Sequence, residues 1–404
     1  MKFISHNNLF AFGFFYYLII PLFVVNIPFS DNLLTLNLWK NDFSLLSQET
    51  IIYYLFTITI YAIFFYLGSF LVFKKKKYTI TKKTYISINY ISIVVSAFLL
   101  YLIAEIIGGR VSISSNFSEY TESYNAKFIG QVATLTIISL FVALHGILTK
   151  NINNFFWLNV ICLFALILML ILLGVRMYAL IPILSLVIYK KNYAPIKIKT
   201  RRLFLYVLLV AFFMGVLGLL RTGTSVSAEL IFYNLIAEST FTWWSNLIYL
   251  SEGNAEGNYF GNPKIFLSSI YNFIPSIVFP NKSDFIYSHY DVYSFSRTPP
   301  LGATSIFTSI NASFGLIGGA FYTFFLGCYF SFIRLLSIRS SFFKTYYIII
   351  VSMIGFQLFR DAFPIVNKLL YFNALAVPAL LFFVSKILLK LKILRKKNNE
   401  SSIR

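Results

Sequence analysis

Five arginines carry the strongest chemical signal in this sequence: Arg110, Arg176, Arg221, Arg297 and Arg360. Each stands at or near one and the same face of the apolar stretches, beside a different stretch. Lysine outnumbers arginine 23 to 11, yet nearly half of the arginines gather where lysine clusters are absent. A guanidinium is always charged and grips phosphate oxygens in a planar, two-pronged way. Charge close to a bilayer is costly unless it is paired or faces a polar cavity. Five such groups converging from separate helices would form a cationic pocket for a lipid-linked pyrophosphate. The plainer reading is that each snorkels or pairs with a local acid, as Arg360 can with Asp361. Arg176 resists it best, because it interrupts an apolar run with no acid close in sequence. Arg176, Arg221 and Arg297 are therefore the expected catalytic cations, and Arg110 and Arg360 the expected substrate-binding ones.

Other chemistries are poorly represented. There is no G-x-x-x-x-G-K-[ST] loop for a nucleoside triphosphate, and no His, Cys and Glu cluster has metal-ligand spacing, so neither cofactor nor metal is expected. Asp31 lacks the acidic neighbour that a metal-dependent sugar transferase would need. Of three histidines, His6 and His145 sit at the lysine-rich ends of spans, while His289 lies in a long polar segment together with Asp291. These two are the remaining candidates for substrate contact. Cys162 and Cys328 fall in apolar runs and read as packing residues.

The elements that must position these groups are membrane helices. The chain has 404 residues, 58% hydrophobic and 12% charged, with a mean hydropathy of +0.76. Soluble domains carry about 25% charged residues. Apolar runs repeatedly reach the roughly 20 residues a bilayer core requires. Ten spans are predicted, near 9–28, 51–73, 85–107, 130–148, a tight hairpin within 155–189, 203–220, 305–333, 345–359 and 369–389. The hairpin counts twice because its 35 residues break at Gly174-Val175-Arg176. The formal charge of +20 invites a nucleic-acid reading, but 24 of the 34 basic residues fall on one side of these spans and 13 of the 14 acids on the other. That is the positive-inside bias, which places both termini in the cytoplasm and leaves no nucleic-acid partner to explain.

Residues 221–304 form the one large outer loop of this single transmembrane domain, far longer than a connection needs. Trp243 and Trp244 within it suggest a helix lying along the membrane interface. Gly315 and Gly319 in the following span have the small-xxx-small spacing of close helix packing.

The G-x-R hairpin (Gly174 to Arg176), the I-P-x-x-x-F-P-N-K segment (Ile274 to Lys282) and the N-x-x-F-G-x-x-G-G run (Asn311 to Gly319) together resemble the Wzy-type oligosaccharide repeat-unit polymerases of O-antigen and capsule assembly. That resemblance implies an all-α polytopic protein of the bacterial inner membrane, GT-C-like in layout. It implies a metal-independent, inverting glycosyltransferase acting at the periplasmic face on glycans linked to undecaprenyl pyrophosphate. Membrane lipid and a chain-length regulator would be its further partners. Members of the family often carry an acid shortly before the F-G-x-x-G run; Ser309 and Asn311 stand there instead, so Asp291, Asp284, Glu238 and His289 all remain open as the base, as does a late proton loss that needs no strong base. The rival classes are an O-antigen ligase, whose H-x-x-x-N-x-x-L run is absent around His289, and a lipid-linked oligosaccharide flippase. The latter would need a larger, more evenly looped set of spans.

Overall fold

The computed structural model describes residues 4–24, 46–71, 88–111, 123–194, 227–253, 261–274, 278–287 and 305–388, with parts of 199–219. Among these residues every regular element is a helix. In chain order they are α1 (His6–Val24), α2 (Gln48–Leu71), α3 (Ile88–Ile107), α4 (Ser123–Thr149), α5 (Asn154–Leu172) and α6 (Arg176–Asn192). There follow α7 (Ala228–Gly253), α8 (Lys264–Ser268), α9 (Ile306–Arg339), α10 (Ser341–Ile354), α11 (Gln357–Arg360) and α12 (Phe363–Leu388).

Seven of them, α1 to α5 with α9 and α12, are long and apolar enough to cross a membrane. The chain is a helical, multi-pass membrane protein. Its helices keep large apolar side chains on their outer surfaces, such as Phe70 in α2, Phe164 in α5 and Phe325 in α9. Such surfaces suit hydrocarbon as solvent. The expected tenfold crossing is not reached among the described residues. The second half of the 155–189 hairpin forms α6, which has 17 residues and an internal Pro182. The expected span at 345–359 stops in α10 after 14 residues, then turns at Gly355 into the short α11. The span expected at 203–220 falls on residues described only in part.

The chain forms two compact units, each assembled from separated stretches of sequence. In the first, α1 is started by a capping box in which Ser5 and Asn8 satisfy each other's backbone N–H groups. Its His6 meets the Ser331 hydroxyl at 3.2 Å, and that hydroxyl donates to Ser69 O at 2.8 Å. One buried node thus ties α1, α2 and α9. Glycines allow α2 and α9 to run against each other backbone to backbone. A Cβ at Gly68 would collide with Phe324 O, one at Gly327 with Phe65 O, and one at Gly319 with the Tyr61 ring.

Gly315 behaves differently from the packing role its spacing predicts. Its backbone (φ 64°, ψ −170°) breaks α9 in mid-span, in a region of conformational space that is essentially glycine's own. The break frees carbonyls that a bilayer cannot hydrate. Tyr61 OH donates to Gly315 O at 3.0 Å, and the Asn262 backbone N–H donates to Ala312 O at 2.7 Å. The chain around Gly261 lies directly on Ala312–Phe314, closer than any Cβ would permit.

The segment 221–304, read as a loop, contains the 26-residue helix α7. Ser227 opens it by accepting the Leu230 N–H at 3.2 Å. The sequence argued for a helix along the interface, but Trp243 and Trp244 are buried, at 0% and 3% exposure. They pack inside the first unit, where α7 contacts α1, α2 and α11. Run-by-run hydropathy missed this because the helix is too rich in Ser, Thr and Asn to score as a span. Those polar groups are spent locally, as where the Thr240 and Thr242 hydroxyls donate to carbonyls three or four residues back.

In the second unit α3, α4 and α5 pack on one another. Asn159 of α5 and Ser139 of α4 hold each other by three buried hydrogen bonds of 2.9 to 3.2 Å. His145 is a core residue here, edge-on to Phe382 at 4.9 Å and stacked with Phe141 at 6.3 Å. Gly315→Ala should lower stability by about 1–3 kcal/mol, read as a lower melting midpoint of the purified protein in detergent. Gly130→Ala, at a site where a Cβ would meet nothing, should leave that midpoint within a degree or two or raise it.

Candidate functional site: an arginine-bearing helix end

Two helices of the second unit end in the same way, and each end delivers an arginine. In α3 the left-handed residue is Gly109 (φ 69°), whose N–H donates to Ile106 O at 3.0 Å, while Arg110 N–H donates to Glu105 O at 3.2 Å. In α5 it is Gly174 (φ 74°), with its N–H on Ile171 O at 2.9 Å and Val175 N–H on Leu170 O at 2.8 Å. Both are Schellman caps, which satisfy the last carbonyls of a helix and reverse the chain sharply. The G-x-R spacing therefore has a mechanical meaning. The glycine stops the helix and an arginine follows, directly after Gly109 as the last cap residue of α3 and two positions after Gly174 as the first residue of α6.

The two caps lie at one level. Asn153 Nδ2 donates to Asn89 Oδ1 at 2.9 Å, and Ser96 Oγ meets Cys162 Sγ at 3.4 Å. Both contacts step forward along both chains, so α3 and α5 run parallel, offset by 64 and 66 positions. Gly109 and Gly174 differ by 65. With that register Arg110 and Arg176 arrive at the same end of a packed, parallel pair. The antiparallel α4 begins at this end and brings the exposed Lys127 with it.

The charges at this end are managed unequally. Arg110 Nη1 reaches Glu105 Oε1 at 3.0 Å; the arginine side chain is 69% exposed, the glutamate only 7%. Because the cap sets Arg110 over Glu105, the ion pair follows from the backbone turn. No charged side chain but Arg176 lies in the run from Lys150 to Lys190, so nothing near it in sequence neutralises it.

Arg360 belongs to the first unit and ends α11. It lies 3.3 Å from Asp361 Oδ1, and Gln357 donates to the other carboxylate oxygen of this buried aspartate. The local pairing anticipated for Arg360 is what the structure contains. Arg221, Arg297, His289 and Asp291 lie outside the described residues.

The first unit also holds a small cavity of about 10 Å³ between α2, α7 and α9, the space of about one water. Thr57, Asn246, Thr308 and Asn311 line it beside the Tyr54 and Tyr61 rings. Thr308 donates to Asn246 Oδ1, whereas Asn246 Nδ2 and Thr57 Oγ1 have no partner among the described residues. Asn311, the first residue of the N-x-x-F-G run, is thus part of a polar seam just ahead of the Gly315 break. Sequence reasoning missed the seam because Asn246, which Thr308 meets, comes from α7, read from the sequence as a helix along the interface.

Comparison with family models, with curated proteins and with solved structures finds no match for this chain.

Two outcomes test the cap geometry. Arg110→Ala should destabilise the protein by about 1–3 kcal/mol, since it leaves the Glu105 carboxylate buried without its cation. Adding Glu105→Gln to that variant should restore most of the loss, read as thermal midpoints of the single and double variants.

Proposed function

We propose that this chain is an inverting, metal-independent glycosyltransferase that joins oligosaccharide repeat units carried on a polyprenyl pyrophosphate, at the face where Arg110 and Arg176 emerge. The observation that carries the reading is the shared level of the two glycine caps. It brings two arginines to one end of a parallel helix pair, and Arg176 has no carboxylate near it in sequence. The placement of that end at the periplasmic side of the inner membrane rests on the charge bias of the sequence.

The chemistry asks little else of the protein. A hydroxyl oxygen of the acceptor sugar attacks the anomeric carbon of the donor on the face opposite the pyrophosphate. The carbon–oxygen bond to the pyrophosphate breaks, and the leaving group departs with the electron pair. Preorganised guanidiniums lower the barrier by meeting that charge as it develops. The acceptor proton passes to a base, a role for which the sequence leaves Asp291, Asp284, Glu238 and His289 open.

The surface glycan of a strain lacking the protein tests this reading. Single repeat units on the lipid acceptor, with no ladder above them, are expected. Complete loss of surface glycan with long lipid-linked polymer would indicate a ligase, and single units held at the cytoplasmic face would indicate a flippase; either overturns the proposal. Arg176→Ala should abolish the ladder while the protein stays folded and inserted. Arg176→Lys should recover little, because a point ammonium does not reproduce the two-pronged contact.

A further inference from the structure

The segment after α8 and the start of α12 are stitched together in the first unit. Asn272 Nδ2 donates to Pro364 O at 2.8 Å, and Asn367 Nδ2 donates to Ser269 Oγ at 2.9 Å. Lys282 is drawn into the same junction, its Nζ donating to Ile274 O at 2.7 Å and lying 3.5 Å from Asn272 O. Lys368 stands next to Asn367, half-buried, and its ammonium interacts electrostatically with that of Lys282.

Two features of this junction are left incomplete. Lys368 has neither hydrogen bond nor carboxylate among the described residues, although it sits inside an apolar helix. Asn367, 3% exposed, has its Oδ1 without a donor among the described residues. A half-buried cation beside a second cation is a cost to folding, and so is a buried acceptor without a partner. A missing anion and a missing hydroxyl donor describe one kind of ligand.

We propose that the junction of Lys368, Lys282 and Asn367 is a binding site for a phosphate-bearing, hydroxyl-rich headgroup. Lys368 and Lys282 hold the phosphate or diphosphate, and Asn367 Oδ1 accepts from a ligand hydroxyl. The same chemistry is offered by a glycosylated lipid diphosphate and by an anionic phospholipid such as phosphatidylglycerol. The diphosphate assignment rests on the function proposed above, and a reaction that joins two lipid-linked glycans has use for a phosphate site in addition to the arginine-bearing end.

The test is thermal unfolding of the purified full-length protein in detergent, with farnesyl pyrophosphate as the diphosphate probe and short-chain phosphatidylglycerol as the phospholipid probe. Ligand binding to the folded state raises the midpoint in proportion to occupancy. The wild type should gain stability with one of the probes, and Lys368→Met should weaken that probe's binding about ten- to a hundredfold, the loss expected for one charge-assisted contact. Lys368→Arg should keep it. Without probe, Lys368→Met should melt at or above the wild-type midpoint, because it removes an unneutralised charge; a purely structural lysine would show the reverse. A shift with farnesyl pyrophosphate alone identifies the diphosphate, and one with phosphatidylglycerol alone identifies membrane lipid. Equal shifts in wild type and Lys368→Met, or no shift with either probe, overturn the site. Because the readout is binding, the site stands or falls independently of whether the deletion strain accumulates single repeat units.

Discussion

Inside a bilayer a backbone carbonyl has no water to turn to, and that constraint governs where this chain can depart from helix. Each departure is matched by a donor already in place. Where α9 opens at Gly315, Tyr61 and the Asn262 amide supply the missing bonds. Where α3 and α5 end, their own caps fold back on the last carbonyls. The break in α9 therefore fixes more than a kink, because the amide that satisfies it belongs to the segment just before α8. The cost of the break is met only when that segment is seated, so the polar stretch between α7 and α9 is anchored by the span that follows it.

The same logic explains why α7 lies inside. Its polar side chains would be unwelcome on a lipid-facing surface, yet several already bond to their own helix, and others meet partners across to α9, as in the Ser245 and Thr308 contact at 3.2 Å. Two buried tryptophans supply the apolar area that makes this placement favourable, at roughly 25 cal/mol per Å² removed from water. Hydropathy averages over a window and registers only the polar atoms. It has no access to where those atoms find partners.

Legibility in the sequence followed the same line. The helices with unbroken apolar runs, from α1 to α5, were visible together with their approximate ends, since length and composition decide them. So was the turn at Gly174, because glycine followed by arginine has no other comfortable place in an apolar run. What could not be read depends on tertiary pairing. The conversion of Gly315 from packing glycine to break requires Tyr61, which lies 254 positions away. The equal level of the α3 and α5 caps is written in Asn89 with Asn153 and Ser96 with Cys162, pairs that carry no signal until the helices are placed side by side. Lys368 was legible only as a charge at a span boundary, where snorkelling is the ordinary reading.

Pairing also separates the cations by what they are free to do. Arg110 and Arg360 each have a carboxylate supplied by the adjacent backbone turn, at Glu105 and Asp361, and both carboxylates are more buried than the arginines they hold. In such a pair the arginine serves the acid, and much of its charge is already committed. Arg176 has no acid near it in sequence, and Lys368 has no carboxylate among the described residues. A protein evolves away from unneutralised charge near hydrocarbon unless something outside the chain completes it. Positive groups retained at such places, one at the start of α6 and one at the start of α12, are the positions where an anionic ligand would recover the cost.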